Sequence, residues 1–211
     1  MQVAADGLVK AAGKGRKQEC GDIKAIKRDI NMGGNMEKII IYGSKYGTTK
    51  GYAKKLSELT GISCSVYRDI KNMQGCKLAV YLGGLYAGGV MGLKSTLKLL
   101  PESAELILVT VGLADVSDEE NVRRIRASLE KQMPEELYRK ALLFHLRGGI
   151  DYGALSMKHR LMMAALHKSL KNMPEEKQTL ENREMLETYG GKVNFVDFAT
   201  LEPVIDAIRH F

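Results

Sequence analysis

The stretch Lys38–Ala53 reads KIIIYGSKYGTTKGYA, and the fold and the first candidate site both follow from it. The apolar run Ile39–Tyr42 predicts a buried strand, and a helical pattern begins near Thr49. A strand that turns sharply into a helix leaves backbone N–H groups unpaired at the helix N-terminus, where the helix dipole is positive. Such a turn binds phosphate groups readily, so we predict a phosphate site here.

The side chains of this turn suit a monophosphate. Hydroxyl groups at Ser44, Thr48 and Thr49 can donate hydrogen bonds to the anion, and Gly47 lets the backbone approach it closely. The turn lacks the Gly-Lys-Ser/Thr ending of a P-loop, and it lacks the G-x-G-x-x-G pattern. The alternative is that the hydroxyls only cap the helix.

The composition is that of a globular protein with one sizeable core. Of the 211 residues, 45% are hydrophobic and 27% are charged. No apolar run approaches the roughly 20 residues that span a bilayer, and there is no apolar signal core, so we expect a cytoplasmic protein. The three cysteines and four histidines show no ligand spacing. We therefore expect reduced thiols, no metal site, and histidines that are solvated or partly packed.

The net charge of +7 is compatible with several roles. Positive charge attracts nucleic acid, an anionic membrane surface or an acidic redox partner, and it also favours solubility. The sequence has no basic helix-turn-helix, no aromatic ribonucleoprotein motif and no zinc knuckle, so we expect no nucleic-acid partner. A membrane surface, an acidic redox partner and solubility alone all stay open.

Residues 1–35 differ from the remainder of the chain. They contain scattered glycine and basic residues with little strand pattern, so we predict a disordered or loosely helical extension before a domain over 36–211. Gly33-Gly34-Asn35-Met36 also resembles a translated purine-rich ribosome-binding site, which suggests a start at Met36. A native N-terminal peptide that begins earlier would contradict that hypothesis.

Strand and helix patterns alternate from Met36 onwards. This alternation predicts an α/β fold with a parallel sheet, helices on both faces and a ligand site at the C-terminal ends of the strands. The predicted strands are Lys38–Tyr42, Ile62–Tyr67, Leu78–Leu82, Glu105–Val111 and Ala141–Leu146, with Val193–Phe198 as part of a split last strand or a short edge. The predicted helices are Thr49–Leu59, Gly92–Leu100, Asp118–Lys131, Ala154–Lys171 and Glu202–His210.

Two further loops follow strands at the same predicted edge. The second loop, Gly83–Gly92, contains five glycines that let the backbone lie against a planar ring, and its Tyr86 can stack on that ring. The third loop, Gly112–Asp118, presents backbone amides and Ser117 ahead of a helix. The alternatives are a mobile loop whose tyrosine packs on the next helix, and a simple N-cap at Asp118.

These three loops resemble those of flavodoxin domains, which are three-layer α/β sandwiches around a five-stranded parallel sheet of order 2-1-3-4-5. Ser44, Gly47 and Thr49 match the family's Ser/Thr-x-Thr-Gly-x-Thr phosphate loop, and Tyr46 replaces its middle threonine. The form YGSKYGTTKGYA is most similar to the bacterial group that includes menaquinone-dependent protoporphyrinogen IX dehydrogenase. The resemblance extends over residues 36–211.

The resemblance implies noncovalently bound FMN. Its phosphate would lie on the first loop, and its isoalloxazine ring would lie between the second and third loops. The implied cofactor-binding residues are Ser44, Lys45, Tyr46, Gly47, Thr48, Thr49, Gly84, Leu85, Tyr86, Ala87, Gly88, Gly112, Leu113, Ala114 and Asp115. No catalytic acid or base is identified: Asp115, Asp151 and His145 are candidates that we expect to be structural.

The chain departs from electron-carrier flavodoxins, which usually place FMN between two aromatic side chains and are acidic. It has no Trp, offers only Tyr86 in the second loop and is basic. A less covered flavin favours direct access, so the resemblance implies an oxidoreductase that passes electrons from a reduced substrate through FMN to a quinone. A soluble carrier between protein partners and a flavin-free interaction module are the alternatives.

The segment Leu155–Lys171, LSMKHRLMMAALHKSLK, predicts a basic amphipathic helix. Such a helix can lie on an anionic membrane surface, where a quinone would be reached. The alternative is that its apolar side packs on the sheet, with its methionines filling gaps in the core. Arg147, just before this segment, would meet carboxylates of the substrate. We expect the charged segment 174–187 to be exposed.

Overall fold

Five parallel strands form the centre of the computed structural model, which describes residues 37–86, 89–174, 186 and 189–211. The strands are β1 (Lys38–Gly43), β2 (Cys64–Val66), β3 (Leu78–Tyr86), the short antiparallel β4 (Gly89–Val90), β5 (Glu105–Gly112) and β6 (Leu142–Arg147). The parallel strands are arranged β2-β1-β3-β5-β6, and β4 pairs only with β3. This arrangement confirms the predicted fold class, because the five parallel strands follow the order 2-1-3-4-5. The predictions for residues 1–35 and for Ala87 and Gly88 lie outside the described residues.

Helices cover both faces of the sheet, because each central strand is apolar on both sides. The helices are α1 (Thr48–Thr60), α2 (Leu93–Leu97), α3 (Glu119–Glu130), α4 (Glu135–Lys140), α5 (Met157–Lys171) and α6 (Glu202–Arg209). On one face, Leu56 of α1 and Val204 of α6 share an apolar core with Ile40 of β1. On the other, Leu93 of α2 and Leu129 of α3 pack in a second core with the neighbouring strand residues.

The second loop differs from its prediction. Its first residues continue β3 as far as Tyr86, because Gly83 and Gly84 pair in register with Thr110 and Val111 of β5. The chain then turns back as β4, which places Val90 opposite Leu85. Glycines that indicated a loop therefore lie partly within the sheet.

Three other elements also differ from the sequence-based expectation. Helix α2 ends at Leu97, and α4 was not predicted because its six residues are too few for a periodic pattern. Strand β8 (Lys192–Asn194) pairs antiparallel with β7 (Gly149–Asp151) in a separate ribbon, so Val193–Phe198 is not part of the central sheet. None of the described helices is long and apolar enough to cross a bilayer.

Gly43 gives the first testable prediction. A Cβ at this position would lie 2.0 Å from the carbonyl oxygen of Met91, which belongs to neighbouring backbone. We expect Gly43→Ala to lower the free energy of unfolding by about 2–3 kcal/mol, measured by urea denaturation. Gly51→Ala is the matched control, because the added Cβ at this position in the first turn of α1 meets no atom within 4 Å. It should stabilise the protein by about 0.5–1 kcal/mol, and equal effects of the two changes would contradict the prediction.

His145 is a half-buried titratable group on β6. Its Nδ1 lies 2.7 Å from Thr110 Oγ1, and its Nε2 has no hydrogen-bond partner among the described residues. Burial, together with the nearby charge of Arg126, lowers the pKa of His145 from its ordinary value of 6.5 to about 4. The folded protein therefore keeps this ring neutral at mildly acidic pH.

This depressed pKa predicts a pH dependence of stability. Between pH 6.5 and about 4 the unfolded chain protonates His145 and the folded protein does not, so the free energy of unfolding falls as the pH is lowered. His145→Leu should remove this part of the slope in urea denaturation, although the lost contact with Thr110 lowers stability at every pH. An unchanged slope in the variant would show that other groups cause the pH dependence.

Candidate functional site

A cavity of about 590 Å³ opens at the carboxyl ends of the parallel strands. Its walls come from the turn after β1, the end of β3, the loop after β5, the β6–β7 junction and α5. The volume is within the range of small-molecule and cofactor sites. The position is the one that parallel α/β sheets use for ligands.

The cavity brings together all three loops that the sequence singled out. The predicted residues that line it are Ser44, Lys45, Tyr46, Thr48, Thr49, Gly84, Leu85, Tyr86, Gly112, Leu113 and Ala114. Gly47 and Asp115 adjoin lining residues without lining the cavity themselves. The lining residues that sequence reasoning missed are Gly89, Met91, Val111, Asn121, Arg124, Ile125, Ser128, Gly148, Gly149, Ile150, Leu155, His159, Met162, Met163 and Leu166.

The first loop forms an open turn at the N-terminus of α1. Gly47 is the N-cap, has φ +96° and supplies no side-chain cap, while its N–H donates to Ser44 Oγ at 3.1 Å. The first turn of α1 contains no acidic residue, and its first N–H groups have no partner within the helix. The N-cap residue itself therefore makes no side-chain cap, although Ser44 Oγ accepts the Gly47 N–H, and the turn remains suited to an anion.

The start of α1 is held against two other walls of the cavity. Thr48 Oγ1 donates to the carbonyl oxygen of Gly149 at 3.3 Å. Thr49 is 3% exposed, and a Cβ on Gly84 would lie 3.1 Å from its Oγ1. Gly84 thus lets β3 approach the start of α1 closely, which gives the cavity a compact corner.

Asp115 stabilises the third loop. Its Oδ1 accepts hydrogen bonds from the Ser117 N–H at 2.9 Å and from the Ser117 hydroxyl at 2.8 Å. These bonds lower the pKa of Asp115, and Arg147, whose Nη1 lies 3.6 Å from Asp115 Oδ2, lowers it further. An ionised carboxylate held in this way suits a structural role. Asp118, which accepts from the Glu120 N–H at 2.8 Å, caps α3 as predicted.

Arg147 also stabilises the third loop. Its Nη2 donates to the Leu113 carbonyl oxygen at 3.4 Å, and its guanidinium lies 3.8 Å from the ring centre of Phe195. Arg147 does not line the cavity, and its predicted contact with substrate carboxylates stays a prediction. Asp151, which accepts from the Ala154 N–H, and His145 also lie outside the lining.

Helix α5 supplies the wall that sequence reasoning did not assign to the site. His159 is 6% exposed, and its ring lies edge-on to Tyr46 at 5.6 Å and to Tyr86 at 5.3 Å. Its Nδ1 lies 2.6 Å from Ser156 Oγ. The expectation of a solvated or partly packed histidine was therefore wrong, because His159 joins the first loop to the end of β3. The helical spacing of Leu155, His159 and Leu166 was the available signal.

The lining is electropositive. It includes Lys45 and Arg124, the latter 3.0 Å from Glu120 Oε1, and no lining residue among those described is an aspartate or glutamate. Most of the remaining wall is aliphatic, aromatic or methionine. The cavity is therefore suited to a ligand that joins an anionic group to an apolar, planar body.

Asn121, at the start of α3, is a lining residue with one unpaired polar atom. The residue is 2% exposed, and its Nδ2 donates to the Asp115 carbonyl oxygen at 3.1 Å. Its Oδ1 is buried without a hydrogen-bond partner among the described residues. Such an unpaired buried acceptor costs free energy.

Several solved flavoproteins are similar to this chain. An FMN complex of a flavoprotein from Lactobacillus acidophilus is 12% identical, with 53% of this chain and 91% of that chain covered and a TM-score of 0.38. A flavodoxin variant from Fusobacterium nucleatum bound to FMN is 13% identical, with 56% and 71% covered and a TM-score of 0.36. A flavodoxin variant from Pseudomonas aeruginosa is 19% identical, with 63% and 95% covered and a TM-score of 0.32.

No curated protein matches the chain. The sequence profile of the flavodoxin domain matches residues 39–177, which is more than half of the chain. The narrower resemblance to the protoporphyrinogen dehydrogenase group is not confirmed by these matches. With its strand order, its three loops and this profile match, the chain belongs to the flavodoxin domain family.

Proposed function

We propose that this chain is an FMN-binding oxidoreductase that passes electrons from a reduced small molecule to a quinone, like menaquinone-dependent protoporphyrinogen IX dehydrogenase. The observation that carries the proposal is the cavity of about 590 Å³, where an anion-binding turn adjoins an apolar wall formed in part by α5. Bound FMN would supply the electron-transfer chemistry, and the chain would bind and orient it.

The donor groups of the cavity fit FMN. The phosphate would lie on Ser44–Thr49, at the N-terminus of α1, where three residues with hydroxyl groups lie in or beside the cavity lining. The isoalloxazine ring would lie against Leu85 and Leu113, close to the ring of Tyr86. The absence of carboxylates among the described lining residues avoids repulsion of the phosphate. Membership of the flavodoxin domain family supports the same ligand.

The apolar side of α5 favours a small-molecule reaction over simple electron carriage. Met162, Met163 and Leu166 line the cavity, so a reactant beside the cofactor meets hydrocarbon and methionine side chains. A planar quinone gains more from such a wall than a protein surface does. A soluble electron carrier that serves redox proteins remains the alternative.

The outer side of α5 suits an anionic membrane surface. Met157 is 82% exposed and Leu161 is 75% exposed, and these side chains are one helical turn apart. Arg160 and Lys168 are exposed on the same helix. Apolar side chains flanked by cations bind membrane interfaces. A quinone in the bilayer would then lie next to the helix that lines the cavity.

The phosphate turn is tested with two left-handed glycines at opposite ends of α1. Gly47 has φ +96° and Gly61 has φ +71°, and a Cβ on either meets no atom within 4 Å. Valine at each position should lower the free energy of unfolding by about 1–2 kcal/mol through backbone strain. Only Gly47→Val should weaken FMN binding, by at least about tenfold in fluorescence titration, because it displaces the phosphate donors. Wild-type affinity in Gly47→Val would contradict the site.

Electron transfer to a quinone is tested by anaerobic photoreduction of the FMN-loaded protein, followed by mixing with menaquinone in anionic vesicles. We expect rapid reoxidation, read from the visible flavin absorbance. Leu161→Asp should slow this reaction by about tenfold, because it replaces an exposed leucine of the proposed membrane contact with a negative charge. It should not slow the reaction with a water-soluble naphthoquinone. Leu59→Asp is the control, since Leu59 is 52% exposed on α1, away from α5.

Three outcomes would contradict this proposal. If the reduced wild-type protein ignores both quinones, the carrier is favoured. If Leu161→Asp slows both reactions equally, the membrane contact is wrong. The membrane contact is also wrong if Leu59→Asp slows the reaction with menaquinone in vesicles as much as Leu161→Asp does.

A further inference from the structure

His159 is a buried polar side chain in the wall that α5 forms. It is 6% exposed, and Tyr46 and Tyr86 contact its ring edge-on, with 5.6 Å and 5.3 Å between the ring centres. Its Nδ1 lies 2.6 Å from Ser156 Oγ, so one of the two ring nitrogens already has a partner. These contacts fix the orientation of the imidazole.

The second ring nitrogen, Nε2, is available to a ligand. It makes no hydrogen bond to a described residue and yet, unlike His145 Nε2, it is not one of their fully buried unpaired atoms. Nε2 therefore keeps accessible surface, although little of the residue is exposed. Because Nε2 is on the side of the ring away from the helix backbone, and because His159 lines the cavity, we infer that this surface faces the cavity.

His159 also lies at one end of an apolar stripe along α5. Met162, Met163 and Leu166 line the cavity, and they follow His159 by three, four and seven residues, which places them on the same side of the helix. A planar reactant that packs on this stripe would have an edge near Nε2. The contact with Tyr86, at the end of β3, places the imidazole beside the wall proposed for the isoalloxazine ring.

Reduction of a quinone needs a proton that the flavin does not supply. A quinone takes up two electrons and two protons to become a hydroquinone, and anionic reduced flavin releases two electrons and the proton at N5. The second proton has to come from the chain or from water. The described lining residues include no aspartate or glutamate. Lysine, arginine and tyrosine side chains ordinarily hold their protons near neutral pH, whereas imidazole exchanges one.

We propose that His159 is a catalytic residue that donates the Nε2 proton to one oxygen of the bound quinone. The Nε2–H bond breaks as that O–H bond forms, while the two electrons and the N5 proton pass from the flavin to the quinone. The imidazole then takes a proton from water. Ser156, one turn earlier, positions the ring through Nδ1. This inference rests on the proposed function, because it requires FMN and a quinone in the cavity.

The test compares two oxidants of the photoreduced, FMN-loaded protein. Menadione, a naphthoquinone, accepts electrons and protons, whereas ferricyanide accepts electrons alone. His159→Gln keeps an N–H group near the position of Nε2 but transfers no proton. Its rate with menadione should fall about a hundredfold, and its rate with ferricyanide should stay unchanged. Equal effects on the two rates would overturn the inference, because they would reflect a displaced flavin.

His167→Gln is the matched control. His167 lies on the same helix, stacks on Tyr189 with 4.0 Å between the ring centres and is not among the described residues that line the cavity. This variant should keep the wild-type ratio of the two rates. A loss as large as that of His159→Gln would overturn the inference.

A second measurement needs no turnover. Menadione added to the oxidised, FMN-loaded wild-type protein has no electrons to accept, so its binding alone is observed. Nitrogen NMR of isotope-labelled imidazole rings should show a shift of the His159 Nε2 signal and none for His167. An unshifted Nε2 signal would overturn the inference, and this result decides the question even if His159→Gln does not fold.

The failures of this inference and of the proposed function are distinguishable. If the wild-type protein neither binds FMN nor reduces menadione, both fail. If His159→Gln reduces menadione at the wild-type rate, only the role of His159 is wrong. The same holds if His159→Gln weakens the binding of FMN and not of riboflavin, because Nε2 would then serve the phosphate.

Discussion

The close approach of backbone segments at the carboxyl edge of the sheet is the constraint on which the remaining structure depends. A Cβ at Gly43 would lie 2.0 Å from the Met91 carbonyl oxygen, and one at Gly83 would lie 2.0 Å from Val90 Cγ1. Hydrogen in place of a side chain lets β1, β3 and the β4 hairpin meet at this edge. The cavity exists because these segments converge and still leave the N-terminus of α1 uncovered.

Some charged side chains at this edge stabilise the third loop, and another lines the cavity. Asp115 and Arg147 neutralise each other behind the third loop, and their contacts with Ser117 and Leu113 fix its backbone. The carboxylate is therefore kept out of the cavity wall, where it would repel an anion. Lys45 remains in that wall, so the local field is positive where the phosphate turn lies.

The sequence predicted the elements whose signal is local. Apolar runs such as Ile39–Tyr42 predicted strands buried on both faces, and the order of strands followed from alternation and family resemblance. The glycines of the second loop were misleading, because Gly83 and Gly84 take part in the sheet through pairing with β5, which no local pattern reveals. The same limit applies to β7 and β8, whose three residues each are too short for a period.

The parts of the candidate site that directly follow a strand were predictable. The parts that come from helices far away in the sequence were not. His159 and Arg124 reach the cavity through helix packing, so their place depends on crossing geometry rather than on a motif. The pairing of His159 with Tyr46 spans more than a hundred residues of sequence. The ion pair of Arg147 with Asp115 likewise depends on the packing of the third loop, which no local pattern reveals.

The hydroxyl group of Thr48 can donate one hydrogen bond, and in this structure the carbonyl oxygen of Gly149 accepts it. If an anion in the turn accepted this hydrogen bond, the carbonyl oxygen of Gly149 would lose it. Gly149 opens β7, which precedes α5 in the chain and pairs with β8, which follows α5. An anion in the turn and the Gly149 carbonyl oxygen would therefore compete for the hydrogen bond of a single hydroxyl group.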